Sequence, residues 1–168
     1  MASCLLSLSF LLNTLPNSET EKLVDQYEEI FSKERLWKLT KLKASSVASA
    51  FLQLLDEALL KLPKMVTRNY GAIVPFFIQT LKAKERQTCK FLWKPLVRSF
   101  RDHSEAISST NAKVMRQLKE QIFAFFRDGC CGVGQVAYPS LVILIPALPV
   151  SVCFTIVVYH CSSTNWND

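Results

Sequence analysis

The sequence predicts an all-α fold of about seven helices that pair into hairpins, and three features of the chain predict it. Glycine is scarce, with 4 residues among 168, whereas leucine, lysine, glutamate and glutamine, which all favour helices, form long stretches. A hydrophobic fraction of 49% is ample for a core. Apolar side chains also recur three and four residues apart, which is the spacing of one face of a helix.

The first helix is expected from about Ser3 to Leu15, because the proline that follows has no backbone N–H to continue the helix. Its leucines resemble those of a buried helix in the middle of a domain, and no basic segment marks a secretory signal. A second, amphipathic helix is expected to begin at Ser18, with Glu21 completing a capping box. A basic connector over residues 33–43 follows it.

The rest of the chain predicts four long helices, over about 44–62, 66–83, 85–102 and 112–127. A seventh segment, over about 133–148, is interrupted by prolines. In the first of the four long helices, one face carries only apolar residues: Val47, Phe51, Leu54, Leu55, Ala58, Leu59 and Leu62. Pro75 and Pro95 fall inside helical patterns, where each removes one backbone hydrogen bond and bends the helix. Asn111 is expected to cap the last of the four, and Gly129 to end it.

Leucine–proline pairs predict how the helices are organised along the chain. Leu15-Pro16, Leu62-Pro63 and Leu148-Pro149 each end a hydrophobic helix; the first interval is 47 residues and the second, 86, is about twice 43. Periods of 40 to 47 residues with paired helices are typical of HEAT and armadillo arrays. The sequence therefore favours a HEAT/ARM-like solenoid of helical hairpins over a closed bundle.

No catalytic, cofactor or metal site is predicted. His103 has no serine or cysteine spaced to act with it, and His160 with Cys161 supplies too few ligands for zinc. The segment 129–134 is glycine-rich but lacks the strand and the Lys-Ser/Thr of a phosphate loop, so it is interpreted as a helix stop. The 6 cysteines are irregularly spaced, which favours free thiols in a reducing compartment over a disulfide framework.

Basic side chains are the one candidate binding feature. Arg86, Lys90, Lys94 and Arg98 lie four residues apart on the fifth predicted helix, with Arg101 one turn further on. Two interpretations stay open: a solvated helix face, or a surface for RNA or another anionic partner, which the net charge of +6 also suits. Aromatic residues are expected on the apolar faces, so RNA contact would involve phosphates and be insensitive to sequence.

Residues 129–159 contain no charged side chain, a stretch long enough to span a bilayer. Three prolines interrupt it, which argues against a membrane anchor but leaves that interpretation open.

Several packing motifs together resemble a known family. A leucine-rich helix closes on a proline, an acidic helix leads into Leu-Trp-Lys, the next helix ends at proline, a Leu-Trp pair follows, and a proline-spaced apolar segment comes last. In this sequence these are Leu11-Leu12-Asn13-Thr14-Leu15-Pro16, Leu36-Trp37-Lys38, Leu62-Pro63, Leu92-Trp93, and Tyr138-Pro139-Ser140-Leu141 running to Ile145-Pro146-Ala147-Leu148-Pro149. Over about residues 3–149, their order and spacing resemble the N-terminal helical region of the listerin family.

The resemblance implies part of a large cytosolic RING-type ubiquitin ligase of ribosome-associated quality control, which ubiquitinates stalled nascent chains on the large ribosomal subunit. It implies contact with that subunit and with quality-control partners. The zinc-holding RING, which recruits the ubiquitin-conjugating enzyme, lies elsewhere in the family, so no catalytic, zinc or other functional residue carries over to this chain.

The resemblance also divides the chain into two parts. Residues 1–149 are expected to form HEAT-like repeats of a longer N-terminal region. Residues 150–168 are interpreted as a divergent apolar tail produced by truncation or mis-splicing. Two other functions stay open: a non-enzymatic HEAT-type adaptor for protein partners, and a small membrane-anchored protein.

Overall fold

A computed structural model describes residues 1–16, 19–20 and 44–127. Most of the helix expected from Ser18, the connector 33–43, the segment 133–148 and the tail 150–168 lie outside the described residues. Within the described ranges the secondary structure is helical and contains no strand. The helices, in chain order, are α1 (Ala2–Thr14), α2 (Ser45–Lys61), α3 (Pro63–Thr67), α4 (Tyr70–Ala83), α5 (Arg86–Asp102), α6 (Ser104–Ser108) and α7 (Ala112–Arg127).

The predicted all-α class is confirmed, and the ends of four predicted helices agree with α1, α2, α5 and α7 to within one residue. The seven residues assigned to the apolar face of α2 are all buried. Asn111 caps α7 as expected, because its side-chain oxygen accepts a hydrogen bond from the backbone N–H of Lys113 at 2.9 Å. Pro75 and Pro95 lie inside α4 and α5, which both continue through them.

One predicted helix is wrong in its extent, because residues 66–83 do not form a single helix. The chain breaks at Arg68 and Asn69, between α3 and α4. The side-chain amide of Asn69 donates to the Met65 carbonyl at 2.8 Å, while the backbone N–H of Asn69 bonds the Val66 carbonyl. In a continuous helix, the Met65 carbonyl would accept a hydrogen bond from the backbone N–H of Asn69. The Asn69 side chain occupies that carbonyl instead, and the backbone forms a tighter turn to Val66.

Two consecutive units of the described chain share one pattern. Each has a long helix of 17 residues, a short helix of 5, and a second long helix of 14 or 16. The helices of the second unit begin 41, 41 and 42 residues after those of the first. This period falls within the range of HEAT and armadillo repeats.

Helices that pack in one layer are separated in sequence. α1 packs on α2 and α2 on α5, while α4 packs on α7. The Nζ of Lys61, in the last turn of α2, donates to the Leu15 carbonyl just after α1, at 3.1 Å. Near the starts of α2 and α5, the Ser49 hydroxyl donates to the Thr88 hydroxyl at 3.4 Å. Neighbours in this layer therefore run in the same direction, the arrangement of stacked hairpins in a solenoid.

An aromatic pair joins the two long helices of each hairpin. Phe51 of α2 meets Phe76 of α4 edge-to-face, with ring centroids 5.2 Å apart. Trp93 of α5 meets Phe125 of α7 in the same way, also at 5.2 Å. These four side chains are between 1% and 4% exposed, so each hairpin contains a buried aromatic contact between its two long helices.

The expectation that α1 is a buried helix is only partly correct. Leu5 and Leu12 are buried, but Leu6, Phe10 and Leu11 are 43%, 68% and 50% exposed. The reason is that α1 packs closely along one side, against α2, so its other side has no comparable neighbour among the described helices.

Lys84 ends α4 in the left-handed region, with φ 52° and ψ 25°, a conformation that costs a residue with a Cβ. We expect Lys84→Gly to raise the free energy of unfolding by about 0.5–1 kcal/mol, since glycine adopts this conformation without strain. Lys82→Gly, inside the same helix, is the matched control and should lower it by a similar amount. Urea unfolding followed by circular dichroism measures both, and two changes of the same sign would contradict the assignment.

Candidate functional site

The potentially reactive side chains of the described residues are dispersed. Cys4 is exposed on α1, Cys89 is buried in α5, and His103 lies at the end of α5. In the described part of the chain, no three His, Cys, Asp or Glu side chains are grouped so as to hold a metal ion. These side chains therefore form no metal-binding cluster within those ranges.

Among the described residues, Tyr70 is a buried titratable group with a strongly raised pKa. Its side chain is buried at the start of α4, and burial raises the pKa of Tyr70 to about 12; the Ser99 hydroxyl partly offsets this and Asp102 adds to it. Ser99 itself donates to the Pro95 carbonyl at 2.7 Å, and the Tyr70 hydroxyl makes no hydrogen bond within the described residues. A phenol with this pKa stays protonated at neutral pH, so Tyr70 serves as core rather than as a base.

Three of the five basic residues predicted to form the stripe on α5 are exposed and have no ion pair among the described residues. Arg86, Lys90 and Lys94, the basic row, are exposed and lie about 6 Å apart along the helix axis. No ion pair involves them in the part of the chain that the structure describes. The basic row is therefore a line of unpaired positive charge on the outer surface of the layer formed by α1, α2 and α5.

Arg98, predicted to continue the row, is engaged in the packing of two helices. Its Nε donates to the Asp56 carboxylate of α2 at 2.9 Å, with the two side chains 18% and 12% exposed. This pair lies towards the end of both helices. At the start, Thr88 accepts from Ser49 and donates to the Glu85 carboxylate at 3.0 Å. Polar contacts thus fix α5 against α2 on both sides of the apolar interface.

Arg101 also differs from a free cation. Its Nε and Nη2 donate to the two carboxylate oxygens of Asp102, at 2.6 and 2.7 Å. These hydrogen bonds raise the pKa of Arg101 and lower the pKa of Asp102, and the nearby Arg98 also lowers the pKa of Asp102. Asp102 therefore neutralises the charge that Arg101 would offer to a partner.

The structure adds one residue that the sequence pattern did not identify. Phe91 is 36% exposed beside the basic row, although aromatic residues were expected on the buried faces. On a helix it adjoins Gln87, four residues earlier, and Lys94, three residues later. A signal was present in the sequence, since Phe91 is next to Lys90 and falls at the border of the apolar face.

No helix among the described residues is long and apolar enough to cross a membrane.

Two regular hairpins and a layer of parallel helices in the described part of the chain define a helical-repeat scaffold. Comparison with known proteins identifies which one. The sequence model described as E3 ubiquitin-protein ligase listerin, N-terminal domain, matches residues 1–148, and the chain belongs to this family. No solved structure matches the fold.

Two relatives illustrate the similarity. E3 ubiquitin-protein ligase listerin of Mus musculus is 26% identical over 148 residues, which is 88% of this chain and 8% of that protein. The listerin of Xenopus tropicalis is 24% identical over 151 residues, which is 90% of this chain and 9% of that protein. The chain therefore spans less than a tenth of the length of these relatives.

Proposed function

We propose that this chain is a helical scaffold segment of a listerin-type ubiquitin ligase in the cytosol, and that its own share of the function is contact with the large ribosomal subunit. In this proposal the complete ligase ubiquitinates stalled nascent chains within the quality-control machinery. Transfer of ubiquitin, recruitment of the conjugating enzyme and zinc binding belong to a RING elsewhere in the ligase. Membership of the listerin N-terminal family supports this division.

The basic row is the single observation that carries the ribosome contact. Three exposed cations in a line, without ion pairs among the described residues, can approach phosphates without first breaking internal contacts. RNA phosphates are dense, and neutralising them releases counterions, so such binding weakens steeply as salt rises. Arg98 does not belong to this surface, because it forms an ion pair with Asp56.

We expect Arg86→Glu, Lys90→Glu and Lys94→Glu together to reduce association of the full chain with purified large ribosomal subunits. Co-sedimentation between 50 and 200 mM salt measures the slope of log affinity against log salt concentration. Each lost phosphate contact should lower the magnitude of that slope by about 0.7–0.9, hence roughly 2–3 for the triple variant.

The matched control reverses Lys113, Arg116 and Lys119 of α7, which changes the net charge equally on the other layer. Equal losses for the two triple variants would mean a general charge effect and would contradict a specific surface. A salt-independent association of the unmodified chain would contradict phosphate contact altogether.

A protein adaptor is the second candidate, and the apolar side chains exposed on α1 favour it. Leu6, Phe10 and Leu11 offer a surface suited to another protein rather than to RNA. The charge-reversed α5 variant separates the two functions, because an adaptor that uses α1 should keep its partners when the basic row is reversed.

A further inference from the structure

Phe91 lies at the groove between α2 and α5 on the outer surface. It precedes Arg98 by seven residues, two helical turns, so both project from nearly the same side of α5. Arg98 is held by Asp56 of α2, so this side of α5 borders α2. Phe91 therefore stands between the basic row and α2, with 36% of its surface accessible.

The chemical setting of Phe91 differs from that of the other exposed apolar residues. Leu6, Phe10 and Leu11 lie on α1, in a segment without any charged side chain, and Leu60 lies near the end of α2. Phe91 instead adjoins a row of unpaired cations. An aromatic face beside cations that follow a backbone is the combination with which proteins hold single-stranded nucleic acid: the base stacks on the ring and the cations contact phosphates.

A duplex does not fit this arrangement equally well. The faces of paired bases are covered by their neighbours in the stack, whereas bases in loops and single strands can be displaced onto an aromatic ring. The basic row alone would bind either form through phosphates. Phe91 is thus the element that would distinguish them.

We propose that this surface binds unpaired RNA, with one base stacked on Phe91 and the flanking phosphates held by Arg86, Lys90 and Lys94. The inference rests on the proposed ribosome contact and narrows its target from phosphates in general to a single-stranded or loop segment of RNA.

The test compares the full chain binding a single-stranded RNA of about ten nucleotides and a duplex of the same length, by fluorescence anisotropy over a salt series. Phe91→Leu keeps an apolar side chain but removes the aromatic face. We expect it to weaken single-strand binding about tenfold, with the salt slope and duplex binding unchanged. Phe91→Tyr retains the ring and should bind like the unmodified chain.

Phe10→Leu is the matched control, since Phe10 is more exposed but has no cation beside it on α1. The inference is overturned if Phe91→Leu binds the single strand as well as the unmodified chain, or if both RNA forms lose affinity equally. In either case a salt-dependent ribosome contact that needs the basic row would still stand. If the unmodified chain binds neither RNA nor ribosomal subunits, the proposed function fails together with the inference.

Discussion

Trp93→Ala is expected to lower the free energy of unfolding by about 3–5 kcal/mol, the range for removing a large aromatic side chain from a core. Trp93 is 1% exposed and packs edge-to-face on Phe125, so truncation removes an aromatic contact between α5 and α7 and leaves a cavity. Urea unfolding followed by far-ultraviolet circular dichroism measures the loss. A loss of this size is a large part of the stability of a small domain. If the variant is largely unfolded, the loss of free energy is measured from its unfolded fraction without urea.

Two comparisons make this prediction specific. Phe51→Ala should cost a similar amount, because Phe51 is 2% exposed and packs edge-to-face on Phe76 in the preceding hairpin. Phe10→Ala, on the exposed side of α1, should change stability by less than about 0.5 kcal/mol. If Trp93→Ala lowered the free energy of unfolding as little as Phe10→Ala, the buried contact between Trp93 and Phe125 would not stabilise the fold as expected.

Arg98→Ala is expected to lower the free energy of unfolding by about 2–3 kcal/mol. The variant leaves the Asp56 carboxylate at the α2–α5 interface without its cation, and a mostly buried charge that loses its partner is costly. The value is set below that of a fully buried pair because both side chains keep some contact with solvent. Equilibrium urea unfolding gives the difference directly.

A double variant separates the ion pair from the packing. Arg98→Met combined with Asp56→Leu removes both charges, and we expect its stability to lie within about 1 kcal/mol of the unmodified chain. Arg116→Ala is the surface control, because Arg116 and Glu120 are 3.9 Å apart and 72% and 62% exposed, where pairs contribute little. A double variant as unstable as Arg98→Ala would show that packing, and not the unpaired carboxylate, causes the loss.

Local patterns in the sequence predicted α1, α2, α5 and α7 well, although the local break at Asn69 was missed. The apolar face of α2 recurs with helical spacing, prolines follow the ends of α1 and α2, and Asn111 stands in the correct place to cap α7. Each of these signals acts within a few residues, so its outcome does not depend on the rest of the fold.

Contacts between neighbouring helices of the layer could not be predicted from local sequence patterns. Arg98 belongs to a row of regularly spaced cations, and only the proximity of α2 converts it into the partner of Asp56, 42 residues earlier. Asp56 did carry a signal, because it is acidic and directly follows Leu54 and Leu55 of the apolar face of α2. The exposure of Phe91 likewise depends on how far α2 covers α5, which is a property of the layer rather than of the helix.

The repeat of 41 to 42 residues also has a consequence for how fast the chain folds. Layer neighbours such as α2 and α5 meet after a segment of fixed length, so the entropy lost in closing each loop is the same at every step. Adding further hairpins lengthens the chain without lengthening these loops, and the relative contact order falls as the array grows. Such a chain can acquire its structure hairpin by hairpin from any nucleus, including while it is still being synthesised.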